Sequence, residues 1–372
     1  MEINKIYQNK TNPLKLSARN IVLISADYPK FISGIGDHSH ILFNEISKRT
    51  NNKLLVTTNH KEILDNNSII KIDWSIKELS QLVLLIKKNE SYVLLQYPGI
   101  LYGKYNLSIF FLVLVLRILK VNITIYLHEF SNLHSLRKSF MRFFFRYSSK
   151  IIVTTNDETR LVSTFFNKSR IFKIPIYPNI TDSKNYSDYN SKTIVYFGMI
   201  YPDKGFENII EICNQIDCLY KGKYKFRFLI SYHPQFKEYF NESIALILKS
   251  TFKFEYFLNL DESEILPKLW NSFAALTYYN DGASIRRGSL LTMLSLGIPI
   301  FSNNGLGINE FEEILNKGLF IDYNKNFDFE ENLHKIISNQ AFYSNCSENL
   351  IKFSKKFSKE DLVNRIIDVV YK

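Results

Sequence analysis

Short apolar runs alternate with longer amphipathic stretches along most of the chain. Asn20-Ile-Val-Leu-Ile-Ser25, Ser91-Tyr-Val-Leu-Leu-Gln96, Val121-Asn-Ile-Thr-Ile-Tyr-Leu127 and Ile151-Ile-Val-Thr-Thr155 are short and mostly apolar, the pattern of strands covered on both faces of a parallel sheet. Further strands are expected at 53–58, 69–72 and 170–174. Helical spacing predicts helices at 37–49, with Ile41, Leu42 and Ile46 on one face, at 76–88 and at 107–119. Strands that alternate with helices of this length imply an open α/β sheet. The pattern breaks at Ile174-Pro-Ile-Tyr-Pro-Asn-Ile180 and the polar run Thr181–Ser191, which read as a linker. A second series follows, with strands at 193–197, 226–231, 252–257, 273–278, 298–301 and 320–322. Its helices are expected at 206–216, 262–270, 288–296, 327–339, near 345–356 and at 358–371. The fold class is therefore α/β, with two Rossmann-like domains at 1–182 and 190–357.

Composition refines this picture. The chain has 372 residues, 46% hydrophobic and 15% aromatic, enough for two buried cores. Its formal charge of +11 suits a polyanionic partner: a phosphorylated ligand, an anionic membrane surface or a nucleic acid. No nucleic-acid motif accompanies the charge, so nucleic acid is not an expected partner. Three cysteines, Cys213, Cys218 and Cys346, have neither disulfide nor metal spacing and point to a reducing compartment. Residues 1–18 form a polar lead-in without the apolar core of a signal peptide. The longest apolar run, Leu107–Leu116, is short of the ~20 residues a spanning helix needs and is expected to be a buried helix. The expected location is cytoplasmic, at most peripheral on the inner face of a membrane. Residues 135–150 predict a basic helix with Arg137, Lys138, Arg142 and Arg146 mostly on one side. It reads either as a surface helix over a buried Phe face or as one lying on an anionic membrane.

Candidate chemistry concentrates at Asp281-Gly-Ala-Ser-Ile-Arg-Arg-Gly-Ser-Leu-Leu-Thr-Met-Leu-Ser-Leu-Gly-Ile-Pro299. It reads as the loop and helix between two buried strands. Arg286 and Arg287 stand beside a helix N-terminus at Gly288 and Ser289, where unpaired N–H groups and the helix dipole favour a phosphate or diphosphate. Gly34-Ile-Gly36 reads as a loop that lets a ligand approach the backbone. It lacks the third glycine and the acidic residue of a dinucleotide fingerprint. His128 falls just past the end of a strand, where ligands bind in open α/β sheets.

Four segments together resemble GT-B fold glycosyltransferases, specifically the family 4 group of bacterial surface polysaccharide synthesis. They are Phe31-Ile-Ser-Gly-Ile-Gly-Asp-His38, Tyr126-Leu-His-Glu129, Phe197-Gly-Met-Ile-Tyr-Pro-Asp-Lys-Gly-Phe206 and Asp281–Pro299. The resemblance implies two domains facing a cleft and a C-terminal helix, 358–372, crossing back to the first domain. It implies sugar transfer from a nucleotide-sugar to a glycan or lipid-linked oligosaccharide, with retention, with no metal and with no cofactor beyond the co-substrate. Lys204, Arg286, Arg287, Gly288 and Ser289 would hold the donor diphosphate. Gly34, Ile35, Gly36 and His38 would lie on the acceptor side, and His128 near the transferring carbon. The family's arginine after Gly198 is Met199 here, and its two carboxylates fall at Ser284 and Thr292. Those two positions would still contact sugar and ribose, and Asp281 would supply a carboxylate. The same departures admit a non-catalytic partner subunit, or a nucleotide-sugar epimerase of the same fold.

Overall fold

The computed structural model describes residues 20–29, 33–49, 54–60, 63, 68–102, 107–131, 133–182, 184–202, 204–322 and 330–372. The expected lead-in at 1–18 lies outside them, as do Phe31, Ile32, Lys53, Gly103, Asp203 and residues 327–329 of the predicted elements. The chain divides into two compact units. One holds the described residues up to Pro175 together with Lys359–Lys372, and the other is Ile176–Ser358.

The first unit runs β1 (Ile21–Ile24), α1 (Gly34–Arg49), β2 (Leu54–Thr58), β3 (Ile69–Ile72), α2 (Ile76–Lys88), β4 (Tyr92–Tyr97), α3 (Ser108–Ile118), β5 (Ile123–Leu127), α4 (Ser135–Phe144), β6 (Lys150–Val153), α5 (Asn156–Val162) and β7 (Ile171–Lys173). Its sheet has seven strands in the order β3-β2-β1-β4-β5-β6-β7, all paired in parallel. The strands expected to be covered on both faces are so: every residue of β1 and β5 is buried. Each aliphatic side chain buried this way contributes on the order of 1.5–3 kcal/mol.

The second unit runs β8 (Thr193–Ile200), α6 (Phe206–Tyr220), β9 (Lys225–Tyr232), α7 (Lys237–Lys249), β10 (Lys253–Leu258), α8 (Glu262–Leu269), β11 (Ala274–Leu276), α9 (Gly288–Ser295), β12 (Ile300–Asn303), β13 (Leu319–Asp322), α10 (Glu330–Ser338) and α11 (Gln340–Ser354). Six parallel strands take the order β10-β9-β8-β11-β12-β13. The stretch read as a linker is built into this unit. Tyr186 N–H donates to Leu296 O and Asp188 N–H to Ser272 O, both at 2.9 Å.

The last helix, α12 (Lys359–Tyr371), belongs to the first unit. It buries Leu362, Val363, Ile366, Val369 and Val370; Ile367, expected on the apolar face with Leu362, Ile366 and Val370, is only half-buried. Lys150 Nζ donates to Val369 O at 2.7 Å, and Arg365 donates to Lys173 O at 2.8 Å, so orphan carbonyls at two element ends gain donors.

Three expectations are corrected. Gly34-Ile-Gly36 is the first turn of α1 rather than a loop. Ser33 caps that turn, its Oγ accepting from Gly36 N–H at 3.0 Å, while Asp37 N–H donates to Ser33 O at 2.9 Å. The helix expected over 135–150 ends at Phe144. A short 3-10 turn, Phe145–Tyr147, follows, and Lys150 already belongs to β6. The helix at 107–119, expected to be buried, exposes Phe111, Val115 and Ile118 along one face.

Candidate functional site

In the second unit the loop after β8 and the N-terminus of α9 meet around Tyr279. Gly205, at φ +78°, caps α6; a Cβ there would come within 2.6 Å of Tyr278 Cδ1 and 2.7 Å of Asn280 Oδ1, so only glycine fits both the backbone and the space. This turn sets Lys204, whose Nζ lies 4.7 Å from the centre of the Tyr279 ring and 5.0 Å from that of Tyr201. Arg287 Cζ lies 4.9 Å from the same Tyr279 centre, within cation–π range. The Tyr279 hydroxyl is 3.2 Å from Ser289 Oγ, in the first turn of α9. Asn303, at the end of β12, clamps the Tyr279 backbone. Its Oδ1 accepts from Tyr279 N–H at 3.0 Å and its Nδ2 donates to Tyr279 O at 2.7 Å. Burial pushes the Tyr279 phenol up to about 12, so it stays protonated and keeps an O–H to donate.

The loop carrying the arginines is fixed by backbone contact. Gly282, at φ +82°, lies against Asn304 and Gly305, where a Cβ would collide with main-chain atoms. Asp281 pairs with both guanidiniums: Arg286 Nη2 donates to its Oδ2 at 3.0 Å and Arg287 Nη2 to its Oδ1. The carboxylate expected to face a sugar is thus committed to the arginines, which it orients. Thr292 is fully buried. Its hydroxyl donates to Gly288 O at 2.9 Å and accepts from Ile180 N–H at 3.2 Å, tying the stretch before β8 to α9. Ser284 is buried too, and its Oγ accepts from Arg286 N–H at 3.3 Å. Both side chains hold the loop and helix through these hydrogen bonds. Gly288 has room for no Cβ because Asn179 Oδ1 occupies that space. Lys204, Arg286, Arg287, Gly288 and Ser289 are therefore gathered at one helix N-terminus, with Asp281 paired to two of the three cations.

In the first unit the predicted His128 and His38 come together at the carboxyl ends of the strands. Their rings are 4.7 Å apart, edge to face, and each lies against Tyr126, at 4.6 Å and 5.0 Å respectively. His128 Nε2 lies 2.7 Å from Gln96 Oε1; an amide oxygen only accepts, so Nε2 carries the proton and donates. Gly34 is exposed and Ile35 half-buried, on the turn that leads to His38. Asp27, fully buried, binds the loop after β4, its oxygens accepting from Ile100 N–H at 3.0 Å and Leu101 N–H at 2.9 Å. Glu158 binds the segment after His128 in the same way, through Phe130 and Ser131 N–H at 3.0 Å each.

Burial lowers the His38 ring to about 3, and burial followed by the charge of His38 holds His128 well below the ordinary imidazole value. Both are neutral in the folded chain, whereas unfolded histidine takes a proton near 6.5. The His38 contribution is fully present above that value and is lost as pH falls from it towards 3, at up to about 1.4 kcal/mol per pH unit, and the lowered His128 acts in the same direction. Thermal unfolding followed from pH 7 to pH 5 should show a falling Tm. The fall should be smaller in His38→Gln, and an equal fall in both proteins would contradict the neutral-histidine assignment.

Sequence reasoning missed Tyr279, Asn303, Gln96, Asp27 and Glu158. An aromatic at a strand end reads as core, and the partners of the others lie far off in sequence. Among the described residues no group of three His, Cys, Asp or Glu is placed to hold a metal ion. No protein-family model matches the chain, and no curated protein sequence matches it. Solved structures do match. Anabaena HepE, in complex with UDP and glucose, superposes with a TM-score of 0.70 at 11% identity, over 95% of this chain and 99% of that one. Sucrose-phosphate synthase from Thermosynechococcus elongatus gives 0.69 at 12% identity, over 94% and 97%. WaaG, a glycosyltransferase involved in lipopolysaccharide biosynthesis, gives 0.65 at 12%, over 94% and 99%. With two parallel α/β sheets and these structural relatives, the chain has the GT-B fold of glycosyltransferases.

Proposed function

We propose that this protein is a glycosyltransferase that moves a sugar from a nucleotide-sugar to a glycan or lipid-linked oligosaccharide. The observation that carries the proposal is the cluster of Lys204, Arg287 and Ser289 around Tyr279 at the N-terminus of α9. The acceptor hydroxyl attacks the anomeric carbon, the bond from that carbon to the diphosphate oxygen breaks, and the nucleoside diphosphate leaves, its freed oxygen taking the hydroxyl proton. Negative charge grows on the diphosphate as that bond breaks. Preorganised cations and N–H donors stabilise it, so the reaction runs without a metal. By the family resemblance the protein is a retaining hexosyltransferase of family 4 type, working in the cytoplasm on surface polysaccharide such as lipopolysaccharide, O-antigen or capsule. The relative solved with UDP and glucose supports a nucleotide-sugar donor, and the one described as acting in lipopolysaccharide synthesis supports the pathway class.

A second reading, a non-catalytic subunit on the same fold, draws on the burial of Ser284 and Thr292 where the family has carboxylates. Incubating the protein with UDP-, GDP-, ADP-, CMP- and dTDP-sugars and membrane extract, and following sugar incorporation, separates the two. Transfer from one donor supports the transferase; no transfer from any supports the subunit.

Met199 removes one cation of the family's diphosphate site, and Arg286 or Arg287 replaces it. Charge-assisted hydrogen bonds to a diphosphate are worth about 1.5–3 kcal/mol each. Arg287→Ala should therefore weaken donor binding roughly 10- to 100-fold. Arg286→Ala should weaken it less, because Arg287 is the one that reaches Tyr279. Wild-type affinity in both variants, measured by titration, would remove the arginines from the site.

A further inference from the structure

The second sheet ends on an open strand. The strands at the edges of the two sheets are β3, β7, β10 and β13. β3 and β13 have 4 residues each and β7 has 3, and β13 is buried throughout. β10 has 6 residues, each exposed or half-buried. Short length and cover are the usual protections of a sheet edge. β10 has neither, and Lys253-Phe-Glu-Tyr-Phe-Leu258 contains no proline. Its pairing decides which backbone groups are left over. β10 runs parallel to β9 from Lys253 beside Lys225 to Leu258 beside Ile230, and Asn259 N–H donates to Ile230 O at 2.8 Å. Alternation along the strand then turns the N–H and C=O of Lys253, Glu255 and Phe257 to β9, and those of Phe254, Tyr256 and Leu258 outward. Among the described residues no strand takes up that outward row.

The side chains around this row favour a second copy of the same strand. Phe254, Tyr256 and Leu258 share one face of the strand. Tyr256 is 36% and Leu258 38% exposed, and α7, which leads into β10, exposes Leu246 and Leu248. The carboxylate on the strand is satisfied within its own sheet, since Glu255 pairs with Lys225 at 2.7 Å and Arg227 at 2.5 Å. The two flanks carry opposite charge. Lys249 and Lys253 are exposed on the amino side, and Asp261, Glu262 and Glu264 on the carboxyl side. An antiparallel copy sets each basic flank against an acidic one, whereas a parallel copy sets like charges together. Antiparallel pairing is also the arrangement that closes a two-fold dimer. A two-fold at Tyr256 places this residue opposite itself and Phe254 opposite Leu258 of the second copy. The outward N–H and C=O groups of these residues are then paired, and the cross-strand neighbours on one face are all apolar.

We propose that β10 is a dimerisation edge, at which two copies of the chain join antiparallel about Tyr256 and continue one six-stranded sheet into the other. None of the residues assigned to the donor site takes part. Failure of the dimer would therefore leave the nucleotide measurements standing, and failure of those would leave the dimer standing.

The test is sedimentation equilibrium of the full chain over a concentration series, with Tyr256→Pro and Leu258→Lys beside the wild type. The expected result is a monomer–dimer equilibrium for the wild type, weakened by salt because the flanking charges are exposed. Tyr256→Pro removes an outward donor and no bond to β9, and Leu258→Lys sets a charge opposite Phe254. Each substitution acts twice across the two-fold. It should raise the dimer Kd roughly 30-fold, the square of the about fivefold loss at one cross-strand pair. Leu258 is already exposed, so its variant reads the dimer even where the proline disturbs the strand. Cross-linking then tests the register, with the exposed Cys218 replaced by serine. Tyr256→Cys should join to itself under mild oxidation, because opposed residues of a hydrogen-bonded pair stand about 5.5 Å apart at Cα, within disulfide reach. Leu258→Cys, about 14 Å from its counterpart at strand spacing, should not. A monomer at every concentration, variants that associate like wild type, or cross-linking of Leu258→Cys in place of Tyr256→Cys would overturn the proposal. So would growth beyond the dimer, since a two-fold edge closes on itself.

Discussion

Lys204→Ala should lower kcat/KM for the nucleotide-sugar by about 10²–10³-fold while leaving the fold intact. Loss of one preorganised group that stabilises developing charge typically costs about that much. Lys204 is held by Gly205 and by the Tyr201 and Tyr279 rings, at 5.0 Å and 4.7 Å. Its ammonium is therefore positioned before any ligand arrives and loses little freedom on binding. Arg287 shares the Tyr279 ring, at 4.9 Å. Loss of either cation should therefore damage the same step, and the double variant should lose less than the sum of the two. A kcat/KM within threefold of wild type would place the donor elsewhere.

Gly282→Ala should have the largest effect on stability, about 2–5 kcal/mol. Its φ of +82° costs an L-residue about 1–2 kcal/mol. The added Cβ would also strike the main chain of Asn304 and Gly305, which cannot rotate away as a side chain could. Overpacking of that kind adds about 1–3 kcal/mol. Gly222→Ala is the control: its φ is +68°, but the nearest atom to its Cβ would be Asp217 Oδ1 at 3.9 Å, so only the backbone cost applies. Urea unfolding should show the difference as a larger fall in midpoint for Gly282→Ala at unchanged m-value. Because Gly282 anchors the loop that carries Asp281, Arg286 and Arg287, the same variant should weaken donor binding. Equal destabilisation by the two substitutions would show that the loop moves freely.

The strands were legible because a parallel sheet covered on both faces demands unbroken apolar runs, and β1 and β5 supply them. Helix α7 was not legible. Its buried positions are Phe240, Ser243 and Ile247, and a buried serine breaks the apolar stripe that periodicity detects. Helix α3 was found, but its placement was misread. A segment apolar on all sides does not reveal which face the fold covers, and here Phe111, Val115 and Ile118 are left outside. In the candidate site the charged residues stood out by type, as Lys204, Arg286 and Arg287 did. Tyr279 was hidden because its role depends on Asn303, a clamp 24 residues away that no local pattern encodes. Asp281 stood out too, but its pairing with Arg286 and Arg287 was not legible, since it is decided by the loop's path around Gly282.

Calorimetric titration of UDP, GDP, ADP, CMP and dTDP into the full chain at low salt, repeated with Lys204→Ala, tests the account most directly. It predicts that one nucleotide binds the wild type and binds Lys204→Ala at least ~10-fold more weakly, the loss expected from one charge-assisted contact. Failure of every nucleotide to bind, or binding that neither Lys204→Ala nor Arg287→Ala diminishes, would contradict it.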